Sequence, residues 1–217
     1  MVDELGLVST LPVDMRLFRV RERQSHDTWA VDAKEMGPPP NEKARAGRMN
    51  PAGISYFYLA REIETAYAEV LSGPPCQASH VEFAIVSELK VLDLCQVPPL
   101  PSIFDEGLRD VREGIIFIDK FVASISMPVK KDGSEHVEYV PSQVVSEYFA
   151  KVFRGADGNR IHGIVFPSAV KPGGRNVVLF PTTDLSHGFD GLVQFRSGDT
   201  MIFVTWADFI GAVQGET

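Results

Sequence analysis

Arg45 to Val70 reads RAGRMNPAGISYFYLAREIETAYAEV, and the fold is most legible in this stretch. Gly47, Pro51 and Gly53 mark a turn-rich loop that carries Arg48 and Asn50. The β-branched and aromatic run Ile54 to Leu59 predicts a strand, with Tyr56 and Tyr58 on one face at period two. Ile63, Ala66, Tyr67, Val70 and Leu71 then fall at spacings of three and four, which predicts a short amphipathic helix. Glu69 lies off that apolar stripe and is free to face a cleft or water, whereas Glu62 and Glu64 read as solvated helix glutamates. The unit is loop, strand, helix, with polar groups at each junction.

Working outward, LFRVR at Leu17 to Arg21 alternates as a first strand and carries Arg19. Gln24 to Ala52 is polar and rich in Pro and Gly; a loop of this length in a compact domain is expected to be functional, here a lid over the motif. Val81 to Val86 and Lys90 to Leu94 read as a strand pair, and Phe104 to Val122 as partly helical. Pro141 suits the first turn of a helix running to about Phe153. Val144, Val145, Tyr148, Phe149, Val152 and Phe153 are its expected buried face, with Gln143 and Glu147 on another. Gly163 to Phe166 and Asn176 to Phe180 are apolar strands flanking the turn PSAVKPGGR, which holds Ser168. Leu192 to Phe195 and Met201 to Phe203 predict a closing hairpin. Many short strands with few helices, and no βαβ alternation, place the chain in the α+β class.

The 217 residues suffice for one sizeable core, and 44% hydrophobic with 23% charged residues is ordinary globular composition. A net charge of −8 argues against nucleic acid as a partner, because phosphate neutralisation needs clustered Lys and Arg. It leaves room for a small anion, since a local arginine dominates its own cleft. Cys76 and Cys95 form no CxxC and the histidines are scattered, so neither a disulfide framework nor a metal site is expected. The N-terminal stretch lacks a basic region followed by an apolar core, and no run approaches the ~20 apolar residues of a membrane span. A cytoplasmic protein without a membrane partner is expected. GxSxG, GxGxxG after a strand and Walker A patterns are absent.

The chemistry follows from side-chain types. Arg48 is the leading phosphate clamp, helped by the glycine-rich loop and the Asn50 amide, and Arg19 is a second anion-binding candidate. Tyr58 offers an aromatic wall for a ring. Glu69 offers a carboxylate that could hold ribose hydroxyls and offset a developing positive charge. Ser168, outside any nucleophile elbow, is expected to donate a hydrogen bond in a pocket. Together these meet the needs of cleaving a nicotinamide–ribose bond through an oxocarbenium-like sugar.

GRMNPAGISYFYLA followed by ETAYAEV, with EYVPSQVVSEYF, GIVFPS and NVVLF in order after it, resembles the RES domain family. With LFRVR the resemblance runs from about Leu17 to Phe180, and the chain is expected to be one RES-like domain over residues 1–217. The resemblance implies an ADP-ribosyltransferase-like α+β fold on a split, twisted sheet with flanking helices. It implies NAD as substrate, degraded by hydrolysis or by phosphorolysis with inorganic phosphate, and no permanently bound cofactor. Many members are toxins of bacterial toxin–antitoxin pairs, so it also implies an antitoxin protein that blocks the active site. By motif position Arg48, Tyr58, Glu69 and Ser168 would be catalytic, with Arg19, Arg48, Asn50, Tyr58 and Asn176 binding the dinucleotide. Gln143 matches a family-typical helix position. Met49 stands where many members have tryptophan. Transfer of ADP-ribose onto a macromolecule, or NAD binding without turnover, are the alternative readings.

Overall fold

Alternation along LFRVR, FYLA and NVVL produces strands, and these strands assemble into one sheet. The computed structural model describes residues 2, 4–24, 26–126, 138–182, 189 and 191–215. Its strands are β1 (Val8–Leu11), β2 (Arg16–Arg23), β3 (Phe57–Ala60), β4 (Cys76–Ile85), β5 (Leu89–Asp93), β6 (Gly163–Pro167), β7 (Arg175–Leu179) and β8 (Val193–Phe203). Its helices are α1 (Ala33–Met36), α2 (Ile63–Val70), α3 (Arg109–Ser126), α4 (Val140–Glu147) and α5 (Trp206–Gln214). The strand order is β1-β5-β6-β7-β3-β2-β4-β8, antiparallel throughout except for the parallel β5–β6 pair. This is the α+β class expected, a mixed sheet with flanking helices. Among the described residues no helix is long and apolar enough to cross a membrane.

Both faces of the sheet are covered. On one face Ile118, Phe121 and Ile125 of α3 and Phe149 pack with Tyr56, Ile164, Phe166 and Val178. Ala66, Tyr67 and Leu71 pack with Val20, Ala78, Phe203 and Phe209, joining α2 and α5 to the other end of the sheet. A third cluster gathers Leu17, Met36, Phe57, Val81, Phe83, Val177 and Leu179.

Several expectations change on assembly. β4 and β5 are not a pair: β4 lies between β2 and β8, and β5 between β1 and β6. Each is a full strand in its own right, but adjacency in the chain does not make them neighbours. The closing hairpin is one continuous strand. The strand runs through Gly198, where a Cβ would meet Val31 Cγ1 at 2.6 Å and Val81 Cγ1 at 2.7 Å. The glycine admits a crossing segment rather than reversing the chain. The final helix α5 went unread, although Thr205 and Asp208 form a capping box at its start.

The expected buried face of the helix that Pro141 begins holds in part. Phe149 is buried and Val145 and Phe153 pack against the same core, whereas Val144 and Val152 are 63% and 62% exposed and Tyr148 is half exposed, with Ser142 and Ser146 turned inward instead. Glu147 accepts a hydrogen bond from the Tyr56 hydroxyl at 2.6 Å, which sets the rotation of the helix. The wider π-turn Tyr148–Val152 then shifts the phase of everything after it.

The segment expected to be a lid is a strap. Arg19, Arg21 and Arg23 project at period two from β2. Arg19 donates to the carbonyls of Met36 and Gly37, Arg21 to that of Glu35, and Arg23 to that of Trp29. The Trp29 ring lies 4.7 Å from the Arg21 guanidinium and 4.1 Å from that of Arg23, a paired cation–π contact. Met36 is fully buried beneath the strap. Met36→Ala is therefore expected to cost about 2–5 kcal/mol in denaturant unfolding, as for other buried truncations. A loss below about 1 kcal/mol would restore the lid reading.

Candidate active site

The site opens where the sheet is split. β2 pairs with β4 along its whole length and β3 with β7 along its own, but β2 and β3 meet through the single pair Phe18 with Ala60. Beside this junction lies a cavity of about 440 Å³, within the range of small-ligand pockets. Arg19 of β2, Tyr58 of β3, the loop residues Gly47, Arg48 and Met49, Glu69 and Val70 of α2, Ile125 and Ser126 at the end of α3, Tyr139, Pro167 and Asn176 all line it.

The cations come first. Arg19 gives Nη1 to the Gly37 carbonyl at 2.5 Å and the Met36 carbonyl at 3.2 Å, with its guanidinium 5.4 Å from the Phe57 ring centroid. Burial, and then the neighbouring charge of Arg21, pull its pKa down to about 10, so it remains a cation at neutral pH. Arg48 gives Nη1 to the Ile125 carbonyl at 2.9 Å, in the last turn of α3, where helix carbonyls lack intrahelical partners. Among the described residues neither arginine is ion-paired with a carboxylate. Two half-buried cations with no carboxylate partner among the described residues thus line one cavity, an arrangement whose chemistry suits an anion.

Glu69 is held differently. Its Oε1 accepts from the Ser168 hydroxyl at 2.8 Å and from the Asn176 amide at 2.5 Å. Both donors are neutral, so they orient the carboxylate without cancelling its charge. Ser168 also accepts from the Lys171 N–H at 3.0 Å, closing the turn that carries it. Its hydroxyl donates to Glu69, so it orients that carboxylate at the cavity. Asn176 reaches Glu69 because β7 pairs with β3, Asn176 opposite Ala60. Glu62 secures the same junction, which its reading as a solvated helix glutamate missed. It takes Nε and Nη2 of Arg175 at 3.1 and 2.9 Å and the Arg175 N–H at 3.0 Å.

Tyr58 and Asn50 are tied to one another. The Tyr58 hydroxyl donates to Asn50 Oδ1 at 2.7 Å and accepts from the Met49 N–H at 3.3 Å, so its ring lines the cavity while its oxygen is spent on the loop. Burial drives its pKa upward, keeping the phenol neutral. Asn50, expected at the dinucleotide, is 3% exposed, and its Nδ2 donates to the carbonyls of Arg45, Pro51 and Ile54. In this structure it braces the loop that carries Arg48. Tyr56, which shared the strand face on sequence, is instead in the core. Tyr139 and the end of α3 were missed, because nothing in their own spacing marks them; they reach the cavity through long-range packing. Among the described residues no group of three or more His, Cys, Asp or Glu could hold a metal ion.

Removing the Asn50 side chain strips three loop carbonyls of a donor and leaves the Tyr58 hydroxyl without its acceptor. Asn50→Ala is expected to destabilise the fold by about 1–3 kcal/mol in equilibrium unfolding. A change below about 0.5 kcal/mol would show that the amide is not the brace described.

The RES domain family model matches residues 8–189. Among solved structures, the crystal structure of the M. tuberculosis MbcT-MbcA toxin-antitoxin complex aligns over 98% of this chain and 94% of that chain, at 14% identity and a TM-score of 0.48. No curated protein matches the chain significantly. The family match spans β1 to β7 and takes in Arg19, Arg48, Tyr58, Glu69, Ser168 and Asn176, and the chain belongs to the RES domain family.

Proposed function

We infer that this protein degrades NAD by cleaving the nicotinamide–ribose bond, and that it acts as the toxin of a toxin–antitoxin pair whose antitoxin blocks the cleft. One observation carries the enzymatic reading: a carboxylate oriented by two neutral donors shares a cavity with two arginines that have no carboxylate partner among the described residues. The toxin role rests on the family resemblance.

Arg19 and Arg48 would hold the diphosphate, and the Tyr58 ring would form a wall for the nicotinamide. As the bond from the anomeric carbon to the pyridinium nitrogen breaks, its electron pair goes to that nitrogen and nicotinamide leaves neutral. Positive charge then develops on the ribose, and Glu69 offsets it while engaging the ribose hydroxyls. Water attacks the anomeric carbon and loses a proton to solvent, giving ADP-ribose; alternatively a phosphate oxygen attacks, giving ADP-ribose-1″-phosphate. Orientation by Ser168 and Asn176 fixes Glu69 before the charge appears, so that stabilisation needs little reorganisation.

The test is NAD consumption by purified protein with and without inorganic phosphate, with products resolved by mass. Nicotinamide release is expected, with the second product deciding between hydrolysis and phosphorolysis. Glu69→Gln is expected to lower kcat by about 10²–10³-fold, the scale of losing one group aimed at transition-state charge, with NAD affinity changed far less. Near-wild-type kcat in that variant would remove Glu69 from the reaction. NAD left intact by the wild-type protein would overturn the enzymatic reading, and label from NAD on a macromolecule would favour ADP-ribosyl transfer.

A further inference from the structure

We propose that Gln143 of α4 is the positioning residue for Arg48, a role that rests on the reading of Arg48 as the diphosphate clamp. Arg48 sits on a tight reversal in which the Gly47 N–H donates to the Asn50 carbonyl at 2.9 Å. That reversal leaves the carbonyls of Gly47 and Arg48 needing donors, and the Asn50 carbonyl with a second lone pair to fill. Gln143 Nε2 donates to the Gly47 carbonyl at 2.8 Å and to the Asn50 carbonyl at 3.0 Å, one hydrogen to each side of the Arg48–Met49 pair. The neighbouring Ser142 hydroxyl donates to the Arg48 carbonyl itself at 2.5 Å.

Side-chain chemistry explains the choice of glutamine. A primary amide presents two N–H groups from one nitrogen, without charge, to two carbonyls. Glutamate has the same shape but would set lone pairs against both oxygens. Methionine would fill the volume, strip the Gly47 carbonyl of its donor and leave the Asn50 carbonyl with the Gly47 N–H alone. Gln143 does not line the cavity, whereas Gly47, Arg48 and Met49 do, so its influence passes through the loop backbone. Tyr58 and Asn50 brace the loop from the sheet side, and α4 braces it from the other. Between these supports the Arg48 side chain has, among the described residues, one hydrogen-bonded tether, to Ile125 at the end of α3. The loop backbone thus decides where the guanidinium starts, and α4 decides where the loop sits.

The consequence is a split between binding and turnover. A diphosphate remote from the breaking bond is held about equally in ground and transition states, so misplacing its clamp raises KM and spares kcat. Gln143→Met and Gln143→Glu are each expected to raise the KM for NAD about tenfold or more, Glu the more strongly, with kcat within about threefold of wild type. Affinity for ADP-ribose, measured by calorimetry, is expected to fall in parallel. In the Arg48→Ala background the same substitutions are expected to change neither quantity by more than about twofold, since the residue through which they act is gone. Thermal unfolding of every variant separates this coupling from loss of fold. Wild-type affinity for ADP-ribose in both Gln143 variants would overturn the proposal, as would equal effects with and without Arg48. If one variant does not fold, the other decides. A wild-type protein that binds ADP-ribose but does not cleave NAD would sink the enzymatic reading and leave this test standing; one that neither binds nor cleaves overturns both.

Discussion

One residue pair, Phe18 with Ala60, joins the two halves of the sheet, and the cleft depends on its being alone. β2 is committed to β4 along its full length, and β3 to β7 along its own. Two blocks that each satisfy their own ladders can meet at a corner and open beyond it, where a longer β2–β3 ladder would close the gap. The split also distributes the chemistry. Arg19 comes from one block, Tyr58 and Asn176 from the other, and α2, which packs on β2, β3 and β7, brings Glu69 across the junction.

Charge placement is the second constraint. The chain carries a net charge of −8, yet its cavity holds two arginines that backbone carbonyls, not carboxylates, hold in place. Carbonyl dipoles orient a guanidinium without neutralising it, so the attraction for an anion survives burial. Glu69 follows the mirror rule, oriented by a hydroxyl and an amide. Had Arg19 or Arg48 paired with Glu69, the site would have cancelled itself. The fold keeps the opposite charges in one cavity while giving each a neutral partner. The strap over β2 and the helix α4 over the Arg48 loop are the supports that make this separation possible.

The loop, strand and helix of Arg45 to Val70 were readable because each obeys a local rule: glycine and proline for the turn, β-branched and aromatic residues for the strand, spacing of three and four for the helix. The position of Glu69 off the apolar stripe is where the structure puts a residue facing the cleft. Period two alone did not separate Tyr56 from Tyr58, which a hydrogen bond from Tyr56 to Glu147, 91 residues away, settled. The reason Gly198 is glycine, the approach of Val31, is likewise non-local. Spacing put Val145, Phe149 and Phe153 on the core side, where they are, but not Ser142 and Ser146, which turn inward and leave Val144, Tyr148 and Val152 exposed ahead of and within a π-turn.

Element identity, the α+β class and the residue types available for chemistry are encoded locally, since backbone propensity and side-chain periodicity act over a few residues. Strand order, the split at Phe18 and Ala60, the strap and the exchange of hydrogen bonds that makes Asn50 a scaffold and Asn176 a partner of Glu69 are not. These were decided when the chain closed on itself. Buried carbonyls, amides and guanidinium groups then needed partners, and those of Arg19, Arg48, Asn176 and Gln143 lie tens of residues away in the chain.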